Sequence, residues 1–260
     1  MEDVESLRSV LRAGTPERAY LGEVTRRVRG SLGEEISGVW LFGSAALGDY
    51  VPGRSDLDVQ AVSTRRLERP ALIELAAALD HEALPCPALK LEFVLYAADD
   101  LHDPAGPAFQ LNLNTGPGVA RHVALDPGGD PPFWFVIDIA IGRQRGVPLS
   151  GPPPAEVFPD LPRQLVVESL ARALDWYDAS DESPAQTVLA ACRTWAWASD
   201  GRWRSKEESV RWADERLDDP GPVRAALRSR DDAGASPPAP EAASSVVRRA
   251  RAALTAPGRR

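Results

Sequence analysis

Leu41-Phe42-Gly43-Ser44-Ala45-Ala46-Leu47-Gly48-Asp49-Tyr50-Val51-Pro52-Gly53-Arg54-Ser55-Asp56-Leu57-Asp58-Val59 is the stretch from which the fold of this 260-residue chain is read. An apolar strand, Ile36 to Phe42, runs into Gly43-Ser44, where the backbone must turn closely and a helix can begin. Glycine permits the close approach, and helix-start N–H groups with the Ser44 hydroxyl can hold phosphate oxygens. A loop follows, and then Asp56 and Asp58 flank Leu57. Positions two apart in a strand share a face, so both carboxylates meet at one spot while Leu57 and Val59 enter the core. Two neighbouring carboxylates repel, and a hard divalent cation keeps both ionised; Mg²⁺ bridged to nucleotide phosphates suits such a pair. A lone D-x-D is also common at strand starts, where both acids are simply solvated. The flanking hydrophobics and the Gly-Ser turn tip the balance toward a site.

Working outward, Asp56–Val62 reads as one strand and Leu89–Tyr96 as another of strict period two. In the latter, Glu92 is acidic between apolar neighbours and shares a face with Lys90. Residues 4–30 carry helical spacing through Val4, Leu7, Val10, Leu11, Tyr20, Leu21, Val24 and Val28, and Pro70–Leu84 is an amphipathic helix. Phe133–Ile141 reads as strand leading into helix or as helix alone. A proline-rich segment, Val147–Pro162, separates two styles of sequence: strands alternate with helices before it, and no strand is convincing after it. Helical spacing then marks Leu165–Trp176, Ala185–Ala198, Lys206–Leu217, Val223–Ser229 and Glu241–Ala253, the last with Arg248, Arg249 and Arg251 solvated. The expected division is 1–158 and 159–260.

Composition excludes several classes. At about 150 residues per domain, the length supports one to two domains and a core that needs no disulfide or structural metal. Acidic residues number 38 against 30 basic, a net charge of −8. A chain held on polynucleotide through phosphates would be basic, so nucleic acid is a disfavoured partner. The start lacks the pattern of a signal peptide, and the longest apolar run, Phe133–Ile137, breaks at Asp138, too short to span a bilayer. Cys86 and Cys192 stand outside any C-x-x-C pair, and His81, His102 and His122 lack zinc-ligand spacing. A cytoplasmic location with reduced thiols is expected. Lysine occurs only at Lys90 and Lys206.

Gly-Ser, a short loop and a hydrophobic-flanked D-x-D resemble the signature of the DNA polymerase β-like nucleotidyltransferase superfamily, with Glu92 matching its third carboxylate. Beyond the proline-rich segment, Ala191-Cys192-Arg193-Thr194-Trp195, Gly201, Lys206-Glu207 and Trp212–Leu217 resemble the helical domain of the aminoglycoside (3″)(9) adenylyltransferases, which modify streptomycin and spectinomycin. Leu149–Pro152 and Glu156–Phe158 are similar to that family's interdomain segment, so the likeness runs from about Val39 to Leu217.

The resemblance implies an α+β fold: an N-terminal nucleotidyltransferase domain, a small mixed sheet with flanking helices, followed by an all-α helical-bundle domain. It implies magnesium-dependent AMP transfer from ATP to a hydroxyl of a small cationic acceptor, with pyrophosphate released. Asp56 and Asp58 would hold magnesium, and Glu92 would be general base or third metal ligand. Gly43, Ser44 and Ser55 would touch phosphate, with Arg193 as a bidentate fork and Lys206 as a point charge on the triphosphate. Trp176, Asp178 and Asp181 suit a guanidinium- or amine-bearing sugar. The family's Glu- and Trp-containing segment appears here as Phe109–Asn114, with neither residue. A monomer is expected. The alternatives are a protein, tRNA or other small-molecule acceptor on the same fold, or a non-catalytic nucleotide-binding module.

Overall fold

The computed structural model describes residues 12, 14–103, 106–232 and 234–256, which form two compact units meeting in sequence at Leu161 and Pro162. The first half of the expected helix over 4–30 lies outside the described residues. Its second half is α1, Pro16–Leu32, where the Thr15 side chain accepts the Arg18 N–H and proline occupies the first turn. Its buried side chains, among them Tyr20, Leu21, Val24 and Val28, recur at the helical period.

The first unit is built on β1 (Ile36–Leu41), a one-turn helix α2 (Gly43–Ala46), β2 (Leu57–Ser63), α3 (Arg69–Leu79), β3 (Leu91–Ala97) and a second one-turn helix α4 (Ala98–Leu101). Then follow β4 (Phe109–Gly116), β5 (Val119–Ala124), α5 (Pro132–Arg145), β6 (Val147–Ser150) and the short α6 (Pro154–Val157). The sheet order is β5-β4-β3-β2-β1-β6. Only β2 and β3 run parallel among these pairs, joined by the α3 crossover, and the other neighbours are antiparallel. The sheet is therefore mixed, as expected, but three of its strands are additions to the sequence reading: β4, β5 and β6. The segment over 133–141, left open between strand and helix, is wholly helical within α5.

Strand alternation divides the unit into two apolar layers. Val39, Leu41, Leu57, Val59, Ala61, Leu91, Phe93, Leu95, Leu111 and Leu113 pack with α1 and α3 on one side. On the other side Trp40, Phe42, Val62, Val94 and Tyr96 meet Phe135 and Ile139 of α5 and Phe158. Trp40 and Phe158 contact edge to face at 5.0 Å, and the indole N–H donates to the Pro152 carbonyl at 2.8 Å. The polar members of β2 and β3 open onto this second side, at one end of it.

The second unit is all helical: α7 (Arg163–Ala179), α8 (Pro184–Asp200), α9 (Lys206–Asp214), α10 (Gly221–Asp231) and α11 (Pro240–Thr255). The central α8 buries Val188, Leu189, Ala191, Cys192, Ala196 and Trp197, and packs with each of the other four helices. It starts at Ser183, whose hydroxyl accepts the Gln186 N–H, and stops at Gly201 in the left-handed region. The tryptophans expected as packing do pack: Trp197 stacks with Trp203, and Trp195 meets Trp212 edge to face. Arg251 departs from the expected solvated face, since its guanidinium pairs with Asp175 and Asp178 of α7 at 2.6 and 2.7 Å. No helix among the described residues is long and apolar enough to cross a membrane.

Candidate active site

The site is set by the parallel register of β2 and β3. Leu57 pairs with Leu91 and Asp58 with Glu92. The two apolar residues face one layer, so the two acids project side by side from the opposite face. Asp56, two residues before Asp58, lies on that same face at the strand's entrance. Ahead of β3 the Leu57 N–H donates to the Lys90 carbonyl at 2.9 Å, carrying the pairing one residue further.

Gly43 closes the third side. The Phe42 N–H donates to the Asp58 carbonyl at 2.8 Å, which ties the end of β1 to the start of β2. Gly43 then adopts φ +60°, and a Cβ there would overlap the Asp58 carboxylate. A glycine is required at that step both by the left-handed backbone and by the acid it leans on. The first N–H groups of α2, which begins at Gly43 against Asp58, have no intrahelical acceptors, and Ser44 follows in the same turn. Ser55, expected on phosphate, has a loop role as well: its Oγ accepts the Val51 N–H at 3.0 Å and its backbone N–H returns to the Val51 carbonyl.

Charge crowds this point. The Asp58 carboxyl is pushed well above the ordinary carboxylate range, first by burial, then by Glu92, Asp138 and Asp56, with a side-chain hydrogen bond to Glu92 adding to the effect. Asp138 is the residue that sequence reading passes over. It belongs to α5, where Phe135, Asp138, Ile139 and Gly142 share one helical face by their spacing. In the sequence it looks only like the end of an apolar run. Its signal was the three- and four-residue spacing to apolar neighbours, which puts it on the helix's inner side.

Lys90 answers part of this charge. Its Nζ is 3.7 Å from Asp56 Oδ2 and pairs directly with Glu92 Oε1, and its side chain is 25 % exposed. Burial works against the ammonium, but Glu92 and Asp56 outweigh it, so the Lys90 pKa is raised. Among the described residues no three His, Cys, Asp or Glu side chains stand gathered as a ready-made metal cage. The donor set nevertheless suits a hard divalent cation: carboxylate oxygens only, pressed together until one of them resists ionisation. The Lys90 ammonium already lies among them as a cation.

The remaining expected residues belong to the second unit. Lys206 is the first residue of α9, after a capping box formed by Ser205 and Glu208, and its Nζ donates to Gln186 Oε1 at 3.0 Å. Gln186 and Arg193 are seven apart on α8 and so lie along one face, about 10 Å apart in helix rise. That puts Lys206 and Arg193 on the same side of the unit. Trp176 meets Tyr177 edge to face, Asp178 is paired with Arg251, and Asp181 is exposed in the turn before α8.

Residues 156–255 match the family model for the C-terminal domain of aminoglycoside adenylyltransferase, and residues 24–100 match the nucleotidyltransferase domain. The second match contains Gly43, Ser44, Asp56, Asp58 and Glu92. Aminoglycoside (3″)(9) adenylyltransferases of Klebsiella pneumoniae and Shigella flexneri are each 31 % identical to this chain over 214 residues, covering 76 % of it and 78 % of the relative. Among solved structures, a spectinomycin adenyltransferase, AAD(9) from Enterococcus faecialis with ATP and spectinomycin, superposes with a TM-score of 0.65 at 17 % identity. That match covers 91 % of this chain and 98 % of the other, and it shows a shared fold.

Proposed function

This chain belongs to the aminoglycoside (3″)(9) adenylyltransferase family and is an adenylyltransferase, and on that premise we propose that it transfers AMP from ATP to a hydroxyl of a small cationic acceptor of the streptomycin or spectinomycin type. Pyrophosphate leaves, and magnesium serves as the cation. The reading rests above all on one observation, the in-register pairing of Asp58 with Glu92 beside the Gly43 turn.

In this mechanism Asp56 and Asp58 hold magnesium, which supplies charge neutralisation on the reacting phosphate and on the leaving oxygens. Ser44 and the first N–H groups of α2 receive phosphate oxygens, and Ser55 holds the loop that presents Asp56. Glu92 accepts the proton of the acceptor hydroxyl as its oxygen bonds to the α-phosphorus and the bond to pyrophosphate breaks. A sugar hydroxyl has a high pKa, so a carboxylate within hydrogen-bond reach is needed for this step. Arg193 and Lys206 bind the triphosphate as fork and point charge. Trp176, Asp178 and Asp181 take the acceptor's cationic groups. Asp178 is engaged with Arg251 in an exposed pair, worth at most about 1 kcal/mol, which an incoming ammonium can displace. The reaction belongs in the cytoplasm, with the chain acting as a monomer.

Pyrophosphate release is the test: purified protein, ATP, magnesium and one candidate acceptor at a time. Release only with streptomycin, spectinomycin or a close relative is the expected outcome. Labelling of a lysate protein or of RNA from radioactive ATP would move the acceptor to a macromolecule. Silence with every acceptor would overturn catalysis.

A further inference from the structure

Lys90 is built into the carboxylate cluster rather than draped over it. The β2–β3 register, Leu57 to Leu91 and Asp58 to Glu92, sets Lys90 beside Asp56 as Glu92 stands beside Asp58. Two acids therefore face an acid and a lysine across adjacent strands. The lysine's root is fixed twice. Its carbonyl accepts the Leu57 N–H, and Gly116 of β4 passes so close that a Cβ there would run into the Lys90 Cα and Cβ. From that root the ammonium reaches both outer carboxylates, Asp56 at 3.7 Å and Glu92 in direct contact.

A point charge bridging Asp56 and Glu92 supplies the positive charge that a second divalent ion would bring there: it neutralises both carboxylates and keeps them from repelling. We propose that Lys90 takes the place of one divalent ion, so that this chain works with a single divalent cation on Asp56 and Asp58 while the lysine serves Glu92. The inference rests on the proposed reading of Asp56 and Asp58 as metal ligands. One divalent ion and one ammonium bring three positive charges to Asp56, Asp58 and Glu92, with Asp138 a fourth carboxylate close by. A second divalent ion would have to displace an ammonium already seated on the carboxylates it needs. Lysine brings this charge as a compact ammonium on a flexible stem.

The test is a count of ions. Wild-type protein saturated with a non-hydrolysable ATP analogue is titrated with Mn²⁺, free ion being read by electron paramagnetic resonance. One bound Mn²⁺ per ternary complex is expected for wild type and for Lys90→Arg, which keeps the charge. Two are expected for Lys90→Met, which keeps the length and removes the charge. In chelator, Lys90→Met melts below wild type, and Mn²⁺ raises its melting temperature by more than it raises that of wild type. Two ions bound by wild type, or the same count for wild type and Lys90→Met, overturns the proposal; should Lys90→Met fail to fold, the wild-type and Lys90→Arg counts decide it. Asp56→Asn separates the underlying reading: unchanged Mn²⁺ binding in that variant removes the metal assignment itself, whatever Lys90 does.

Discussion

Gly43 leans on Asp58 so closely that a single methyl group on its α-carbon would overlap the carboxylate. The turn thought to receive phosphate and the acid thought to hold metal are thus one packed unit. Nothing larger than hydrogen fits between them, and Gly43 also sits at φ +60°, where a side chain is strained.

Gly43→Ala is therefore expected to cost about 1–3 kcal/mol of stability and to lower kcat/KM by at least about 100-fold, since it displaces Asp58 and the turn together. Urea unfolding and steady-state pyrophosphate release measure the two effects. Normal turnover in this variant would mean that the turn does not touch the reacting phosphates.

Glu92→Gln preserves shape and removes the carboxylate proposed to accept the proton. Transfer should fall by about 10²–10⁴, while the affinity for ATP changes only a few-fold. Calorimetry with a non-hydrolysable analogue and a turnover assay separate these quantities. A variant that turns over normally would take Glu92 out of the chemistry.

The apolar half of this architecture was legible in the sequence, because β1, β2 and β3 alternate strongly and their acids stand out against Leu57, Val59, Leu91 and Phe93. The missed β4 shows why the rest was not. Leu111 and Leu113 alternate with Asn112 and Asn114, but asparagine is a poor strand former, and its local sequence resembles a loop. Here Asn114 pairs with Glu92 across the sheet, so the polar residues that hide the strand lie along the row that carries the site. Lys90 was visible as sharing Glu92's face; that it pairs with Asp56 required the register between strands. The spacing of Asp138 to its apolar neighbours put it on the inner face of α5; that this face meets Asp58 required the packing of α5 on the sheet.

A more distant glycine tests how far the site depends on its support. A Cβ at Gly142 of α5 would overlap the ring of Phe42, the residue whose N–H is bonded to the Asp58 carbonyl. Gly142→Ala should destabilise by about 1–3 kcal/mol through overpacking. Adding Phe42→Leu should recover part of that loss, giving a coupling of about 0.5–3 kcal/mol in a double-mutant cycle. Strict additivity would show that α5 shifts away without loading the turn.

Burial pushes the Cys192 thiol up to about 12, and Cys86 is also raised by burial. At pH 8 a group four units below its pKa is ionised in about one molecule in 10⁴, and the thiolate is the reactive form. Thiol labelling of native protein should therefore be slow for Cys192 and remain so at pH 9, becoming rapid only in denaturant. Prompt native labelling of Cys192, read by peptide mass spectrometry, would contradict its burial in the α8 core.

Arg251 holds Asp175 and Asp178 in exposed ion pairs on α7, so it competes for Asp178, one of the two carboxylates proposed to bind a cationic acceptor. Exposed pairs contribute at most about 1 kcal/mol, and Arg251→Ala should leave the melting temperature nearly unchanged. Freed of the guanidinium, Asp178 should bind an acceptor ammonium or guanidinium more readily, lowering the acceptor KM a few-fold with kcat and the ATP KM unaltered. Added salt should shrink the difference between variant and wild type, because the competition is between solvent-exposed charges. An unchanged acceptor KM in Arg251→Ala, together with an unchanged KM in Asp178→Asn, would remove α7 from acceptor recognition and leave Asp178 a partner of Arg251 alone.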